Sequence, residues 1–187
     1  GISYEEGQAE LRLTYDRIDN RYLPRKGNYG LVSYIASRRN LGADESYEQV
    51  AAEWLYAGAI GRHSGFGGIR YGESSEDVIP LPGQFRLGGV TRFAGYRPNE
   101  ILVENFAIGY LGYTFELGRI MSRAAVLGGT VEYGRTWDVG QNYGDGESEL
   151  HGSIYFGFDS WLGPLQFGYG LREGGDGLFL LEFGRPR

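Results

Sequence analysis

Apolar and polar residues alternate one by one along most of the chain, and this period predicts strands rather than helices. The alternation is clearest in the C-terminal half and returns less regularly in the N-terminal half. Successive runs lie at 105–117, 125–137, 150–158, 165–171 and 179–183, after weaker ones near 9–15, 28–39, 50–60 and 65–73. We therefore predict an all-β, antiparallel protein with about nine strands and no helix.

The alternation gives each predicted strand two unlike faces. In one run Leu165 and Phe167 share a face, while Gln166 belongs to the other. A soluble sandwich would turn the apolar face inward, whereas a membrane barrel would turn it to lipid. The runs reach about 10 to 14 residues, which is longer than most globular strands and suits a tilted membrane crossing.

Two further patterns favour the barrel. Aromatic residues gather near the predicted strand ends, as in the interfacial girdles of outer-membrane barrels: Tyr96, Trp137, Tyr143 and Trp161. The connections alternate in length, with short "RHS", "RIMSR" and "LG" turns at one end and long glycine-rich or acidic loops at the other. Barrels have this asymmetry, and a soluble meander does not need it.

The amino-acid composition excludes some classes of partner and of site for this chain. The chain has 187 residues and a net charge of -6, so nucleic acid is not an expected partner. It contains no cysteine, which excludes disulfides, thiolate metal sites and a cysteine nucleophile. The 33 glycines show no collagen-like period and suit closely packed, curved strands.

Five motifs, in order, resemble the outer-membrane protein-assembly and two-partner-secretion transporter superfamily, the bacterial surface-antigen barrels. They are "YDRIDNRYLPRKG", "FRLGG" with "RFAGY", "GGTVEYGRTWD", "LGPLQFGYG" and "GLFLLEFGRPR". The ending "FGRPR" is most similar to the patatin-like phospholipase branch, in which a lipase-type domain precedes the barrel.

The resemblance implies that residues 1–187 supply the last nine strands of a sixteen-strand barrel. The parity of the strands agrees, because nine strands leave the two chain ends on opposite sides of the membrane, whereas a single-chain bacterial barrel has an even number. The missing strands would precede this chain or come from a second copy in a homodimer.

The long segment at about 77–103 matches the sixth loop of the superfamily, which folds into the barrel interior. The motif residues here are Gly88, Gly89, Gly95 and Tyr96. In the superfamily an arginine of this loop meets an acid on the barrel wall, but Ala94 occupies the arginine position here. The resemblance therefore implies a charge pair between Glu132 and one of two neighbouring arginines, Arg92 or Arg97. The alternative is a loop without this contact, whose arginines are solvated.

No residue pattern predicts catalysis, a cofactor or a metal. His151, Glu149 and Ser153 share one face of a strand, but residues two apart lie about 6 to 7 Å from each other, too far for a nucleophile and its base. The cluster Asp16, Asp19 and Asn20 lacks calcium-loop spacing and suits turn chemistry.

We expect an outer-membrane barrel of a Gram-negative bacterium that contacts outer-membrane lipid and handles a transported or assembling polypeptide. Two alternatives stay open at this point. One is a soluble all-β binding module with exposed aromatic residues, and the other is a barrel lipase.

Overall fold

The computed structural model describes residues 5, 7–75, 79–120, 123–160, 163–175 and 177–183. Trp161 and most of "FGRPR" lie outside these residues. The described part contains eleven strands: β1 Gln8–Asp16, β2 Gly27–Ser37, β3 Tyr47–Ile60, β4 His63–Ser74, β5 Phe85–Leu87, β6 Ile101–Val103, β7 Asn105–Ile120, β8 Arg123–Trp137, β9 Glu147–Ser160, β10 Gly163–Arg172 and β11 Leu178–Phe183. The all-β, antiparallel prediction is confirmed.

Nine of these strands form one sheet in the order β1-β2-β3-β4-β7-β8-β9-β10-β11. Each strand pairs antiparallel with its neighbours, and one irregularity in register lies between Glu116 and Gly118 of β7. The short strands β5 and β6 pair only with each other, as a separate ribbon. The alternation does not predict this ribbon, because each of its strands is only three residues long.

The two faces of the sheet differ as the alternation predicts. One face, here called the exposed face, carries large apolar side chains on every strand: Leu11, Leu13, Val32, Trp54, Ile69, Leu111, Val131, Ile154, Phe167, Phe179 and Leu181. The other, the covered face, carries buried polar residues next to apolar ones: Ser33, Ser64, Thr114, Thr130, Glu132, His151, Ser153 and Gln166.

The sheet is open. Strand β1 pairs only with β2, and β11 only with β10, in the part of the chain that the structure describes. All nine residues of β1 are exposed. An unpaired edge leaves a row of backbone donors and acceptors free, so each edge is a place where a further strand would fit.

Two connections cross the covered face. Residues 79–103, here called the covering segment, join β4 to β7 from the sheet end that also holds the 38–46, 138–146 and 173–177 connections. Residues 17–26, here called the first connection, join β1 to β2 from the opposite end. The two meet over the sheet, where Leu23 and Val90 pack with Val126, Tyr155 and Leu180.

Candidate functional site

The tip of the covering segment, residues 88–97, is the most deeply buried loop on the sheet. Val90 is 1% exposed, Phe93 is 2% exposed and Ala94 is fully buried. Phe93 has a φ of +72°, a conformation that non-glycine residues seldom adopt and keep only when their surroundings hold them in it. The contacts of the tip with the sheet provide that constraint.

Two glutamates on the covered face of the sheet, here called the wall, bind the backbone of the tip. The Phe93 N–H donates to Glu132 on β8, which has no exposed surface. The Val90 N–H donates to the Glu182 carboxylate on β11, with 2.6 Å between the nitrogen and Oε1. These two hydrogen bonds attach the tip to β8 and to β11.

An arginine and a histidine on the covered face of the sheet bind two carbonyl groups of the tip. Arg70 on β4 donates from Nη1 to the Thr91 carbonyl at 3.1 Å. His151 on β9 lies with Nδ1 2.6 Å from the Ala94 carbonyl, which requires the proton on Nδ1. Donors and acceptors of the tip backbone are thus both satisfied by side chains of the sheet.

Aromatic rings add further contacts between the tip and the sheet. The Phe93 ring lies over Gly134, where a side chain would collide with it. The same ring lies 3.8 Å from the His151 ring, between centroids, and stacks with Tyr96 at 6.0 Å. The Tyr96 hydroxyl donates to Glu149 at 3.0 Å. Burial is the main cause that raises the pKa of the Tyr96 hydroxyl, and Glu149 adds to it.

The glycines of the motif allow close approach. Gly88, Gly89 and Gly95 have φ angles of +122°, +131° and +96°. A Cβ on Gly89 would lie 2.5 Å from Glu182 Oε1, and one on Gly95 would lie 3.0 Å from the Arg172 nitrogen. Only glycine combines this backbone conformation with this proximity to the sheet.

The charge pair implied between Glu132 and Arg92 or Arg97 is not found among the described ion pairs. The Glu132 carboxylate instead receives the Phe93 N–H, and Thr130 Oγ1 lies 3.4 Å from it. Arg92 and Arg97 are both exposed. The described contact of Glu132 with the covering segment is thus made by the backbone of Phe93, the residue before Ala94.

Sheet register gathers the wall residues into one row. Glu132 lies opposite Tyr110 of β7 and opposite His151 of β9, and His151 lies opposite Arg172 of β10. The sequence places each of these residues on the covered face, but it does not align them. Glu182 is the residue that the motif reasoning missed, although a carboxylate on the inward positions of apolar "LFLLEF" is a visible signal.

The first connection is organised by its own side chains. Asp19 Oδ1 accepts the N–H groups of Asn20, Arg25 and Lys26, and Asn20 Oδ1 accepts those of Tyr22 and Leu23. These bonds are the turn chemistry expected from the sequence. The described residues contain no group of three or more His, Asp or Glu side chains suited to a metal ion.

The residues considered for hydrolysis have other partners among the described residues. His151 Nδ1 is occupied by the Ala94 carbonyl, and Ser153 Oγ lies 2.7 Å from Thr130 Oγ1. His151 Nε2 lies 3.3 Å from the Glu149 carboxylate. His151 therefore contacts the covering segment, and its described hydrogen bonds do not include Ser153.

Two cavities of unlike charge lie on the covered face. One, the arginine cavity, has a volume of about 390 Å³ and is lined by Arg12, Arg21, Arg70 and Arg92 with Glu53 and several aromatic residues. The other, the acidic cavity, has a volume of about 460 Å³ and is lined by Glu104, Asp138, Asp145, Glu147 and Glu149 without a basic residue. Phe93 and Tyr96 line the acidic cavity, and the neighbouring Thr91 and Arg92 line the arginine cavity.

Comparison with known proteins identifies the fold. No protein family matches the sequence, and no curated protein sequence matches it. Among solved structures, the chain is similar to BamA from Haemophilus ducreyi lacking POTRA domains 1-3, with a TM-score of 0.68 and 15% identity. The match covers 94% of this chain and 40% of that one, so this chain spans less than half the length of that protein.

At this identity the likeness establishes the fold alone: an antiparallel sheet arranged like part of the BamA structure. Among the described residues, no helix is long and apolar enough to cross a membrane.

Proposed function

We propose that this chain is the C-terminal part of an outer-membrane β-barrel of the protein-assembly and two-partner-secretion superfamily, in a Gram-negative bacterium. The observation that carries the proposal is the contrast between the faces. Large apolar side chains stay exposed across all nine strands, while the opposite face buries charged and polar groups beneath an infolded segment.

The exposed face carries large apolar side chains on all nine strands of the sheet, whereas soluble monomers rarely expose a contiguous apolar patch of this kind. Its side chains include Leu111 at 72%, Ile154 at 69% and Phe179 at 68% exposure. Lipid is the environment in which such a face is stable, because hydrocarbon solvates it without the ordering of water.

The two open edges fit a larger barrel. In hydrocarbon an unpaired strand edge is strongly unfavourable, so β1 and β11 need partners there. Seven preceding strands of a sixteen-strand barrel would supply them, and a homodimer is the other arrangement that would. The likeness to BamA supports the first arrangement.

Within this barrel we propose a role in polypeptide transport or outer-membrane protein assembly, with lipid and a polypeptide as the partners. The infolded segment would support or gate the interior. Attachment to a patatin-like domain stays a prediction from "FGRPR", and the coding sequence upstream of Gly1 tests it.

We also propose that this chain is not an enzyme and needs no cofactor. The support is that His151 and Ser153 are engaged separately, with Ala94 and Thr130. Conversion of His151 to Gln should therefore leave any lipase activity of the protein unchanged, whereas a complete loss would favour the barrel-lipase alternative.

The membrane proposal is tested with two neighbouring exposed residues of β1 on opposite faces. Leu13 is 66% exposed on the apolar face, and Thr14 lines the arginine cavity. Near mid-bilayer a basic residue costs about 2 to 4 kcal/mol on the lipid face of a barrel and an acidic one somewhat less. Leu13→Asp should greatly reduce membrane assembly, scored by heat-modifiable gel migration, and Thr14→Asp should assemble as wild type.

Gln166 is less suitable as the control, although it also faces inward, because it is 1% exposed and donates to the Tyr22 carbonyl. Equal damage from Leu13→Asp and Thr14→Asp would contradict the assigned faces. A wild-type protein that is compact and monodisperse without detergent would instead favour the soluble all-β binding module.

A further inference from the structure

A groove crosses the exposed face between strands β1 and β4 and is here called the membrane groove. Its volume of about 450 Å³ falls within the range of small-ligand pockets. Most of its lining is apolar and belongs to the exposed face, including Leu13, Tyr15, Val32, Trp54, Ile69 and Tyr71. Of the described lining residues only Glu53 is charged, and it pairs with Arg70, with 3.0 Å between Arg70 Nε and Glu53 Oε1. The groove therefore suits an apolar occupant.

Two small residues, Gly30 and Ala52, lie among the larger side chains of the groove. In the register of the sheet Gly30 lies between Tyr15 and Trp54, and Ala52 lies opposite Val32. The Trp54 ring lies over Gly30, where a Cβ would be 2.8 Å from two of the ring carbons. The Tyr15 and Trp54 rings are nearly parallel, at 7°, with their centroids 6.2 Å apart. Flat rings beside small residues leave a channel in which an extended hydrocarbon chain makes many van der Waals contacts.

One end of the groove meets polar residues just past the end of β1. The Arg17 N–H donates to the Asn28 carbonyl at 2.9 Å, so the two strands continue side by side to this point. Asn28 lies opposite Tyr56, whose side chain is 62% exposed. The Arg17 guanidinium carbon lies 5.5 Å from the centroid of Tyr15, so this side chain reaches back toward the groove. A basic group therefore lies beside the apolar channel.

The end of the sheet that holds Arg17 is basic. It has six Lys and Arg residues and four Asp and Glu residues, an excess of two positive charges, in segments 16–26, 61–63, 116–120 and 158–160. Two of these acids pair with other arginines, Asp16 with Arg21 and Glu116 with Arg25. Arg17 is exposed and has no ion pair among the described residues. The acidic cavity lies toward the opposite end of the sheet, so an anion is favoured at the Arg17 end.

We propose that the membrane groove binds one acyl chain of an anionic phospholipid, with the lipid phosphate held beside Arg17. The inference rests on the membrane proposal above, because the groove faces hydrocarbon only in a bilayer. The acyl chain matches the apolar lining, and the phosphate matches the basic end of the sheet and the fork of a guanidinium. Tyrosine and tryptophan beside a basic residue are typical of the membrane interface, where headgroup and hydrocarbon meet.

The site is tested with the full-length protein assembled in phosphatidylcholine vesicles, after heat-modifiable gel migration has shown assembly. Part of the lipid is replaced by phosphatidylglycerol brominated on its acyl chains or, in a parallel series, by phosphatidylcholine brominated in the same way. Bromine quenches a nearby indole, and Trp54 lies in the groove. The Trp54 signal is the emission that the wild type has and Trp54→Phe lacks, so the two series give the preference of the groove for the anionic lipid.

The charge is tested with two arginines at the same end of the sheet. Arg17→Gln removes the charge beside the groove, and Arg62→Gln is the matched control, since Arg62 is also exposed but lies in the next turn. We expect the wild type to prefer brominated phosphatidylglycerol about fivefold, the effect of one basic residue near anionic lipid. Arg17→Gln should reduce the preference to less than about twofold, and Arg62→Gln should leave it close to the wild-type value.

The groove itself is tested with two alanines. Ala52 lines the groove, whereas Ala107 does not, and both are half-buried on the exposed face. Ala52→Phe fills the channel and should lower quenching of Trp54 by both brominated lipids about twofold or more, because the chain loses its contacts there. Ala107→Phe should leave the quenching as in the wild type.

Equal quenching of Trp54 by the two lipids in the assembled wild type would overturn the proposal, and so would equal effects of Arg17→Gln and Arg62→Gln. Absence of quenching by either lipid would mean that a further strand or a second copy covers the groove, and would also overturn it. The wild-type comparison decides the proposal even where a variant fails to assemble. A protein that does not enter vesicles at all would contradict the membrane proposal as well, so the two failures are distinguishable.

Discussion

The two segments that cover the same face of the sheet rely on different side-chain contacts. The covering segment is fixed by the wall: Glu132, Glu182, Arg70 and His151 bind its backbone from four different strands. The first connection is fixed mainly from within, since Asp19 and Asn20 accept the N–H groups of their own turn.

The difference has a structural consequence. A segment held by its own turn keeps its shape when the sheet changes, whereas a segment bound by four strands depends on the register of all of them. Glu182 lies on β11, the open edge of the sheet, so the position of the tip is coupled to the pairing of that edge. The first connection relies on the sheet chiefly for the contacts of Leu23, the Arg25–Glu116 ion pair and the Gln166 bond to Tyr22.

The largest effect is expected where the two segments meet. Leu23 is 6% exposed and packs with Val90 and Tyr155. Leu23→Ala should lower the free energy of unfolding by about 2 to 5 kcal/mol, through lost burial and the cavity left behind. Urea unfolding of the refolded protein in detergent measures it. Leu41→Ala, at an exposed leucine, should change stability by less than about 0.5 kcal/mol.

Loss of the wall carboxylate should release the covering segment alone. Glu132→Ala leaves the buried Phe93 N–H without an acceptor, which costs about 1 to 3 kcal/mol. Limited proteolysis should then cut within 79–103 and spare 17–26. Glu132→Gln keeps an acceptor oxygen and should be milder. If Arg92→Ala and Glu132→Ala made residues 79–103 equally sensitive to protease, a charge pair between Arg92 and Glu132 would explain the result better than the backbone contact.

Loss of a hydrogen-bond acceptor inside the first connection should expose that connection to protease and spare the covering segment. Asn20→Ala removes the acceptor for the Tyr22 and Leu23 N–H groups, with an expected loss of about 1 kcal/mol. Protease should now cut within 17–26 first. A cut in 79–103 at the same protease concentration would contradict the independence of the first connection.

The smallest effect is expected at the rim of the tip. Tyr96→Phe removes the hydroxyl that donates to Glu149 but keeps the ring stacked on Phe93. We expect a loss of about 0.5 kcal/mol, the low end for a partly buried hydrogen bond, and slightly faster proteolysis of 79–103. A larger loss than from Glu132→Ala would mean that side chains, and not the backbone, hold the segment.

The strands were predictable from sequence, because the alternation of apolar and polar residues is visible within one strand and does not depend on which strands pair with it. The faces were predictable for the same reason: Phe167 is half exposed on the apolar face, and Gln166 is buried on the other. The ribbon of β5 and β6 was not, because three residues are too few to display a period.

The site was predictable only in part. The glycine motif and Glu132 could be found in the sequence, but the donor to Glu132 could not, because a backbone N–H leaves no mark on residue identity. The role of His151 as the partner of the Ala94 carbonyl was equally hidden, since the alternation shows only that its side chain faces inward.

By itself, the sequence determined which side chains share a face, because that follows from neighbouring positions along one strand. Tertiary structure alone decided which of them touch the covering segment. Those contacts join residues 21 to 92 positions apart, from Arg70 and Thr91 to Val90 and Glu182. They depend on the register of the strands and on how the segment folds back, and both are set by packing across the whole sheet.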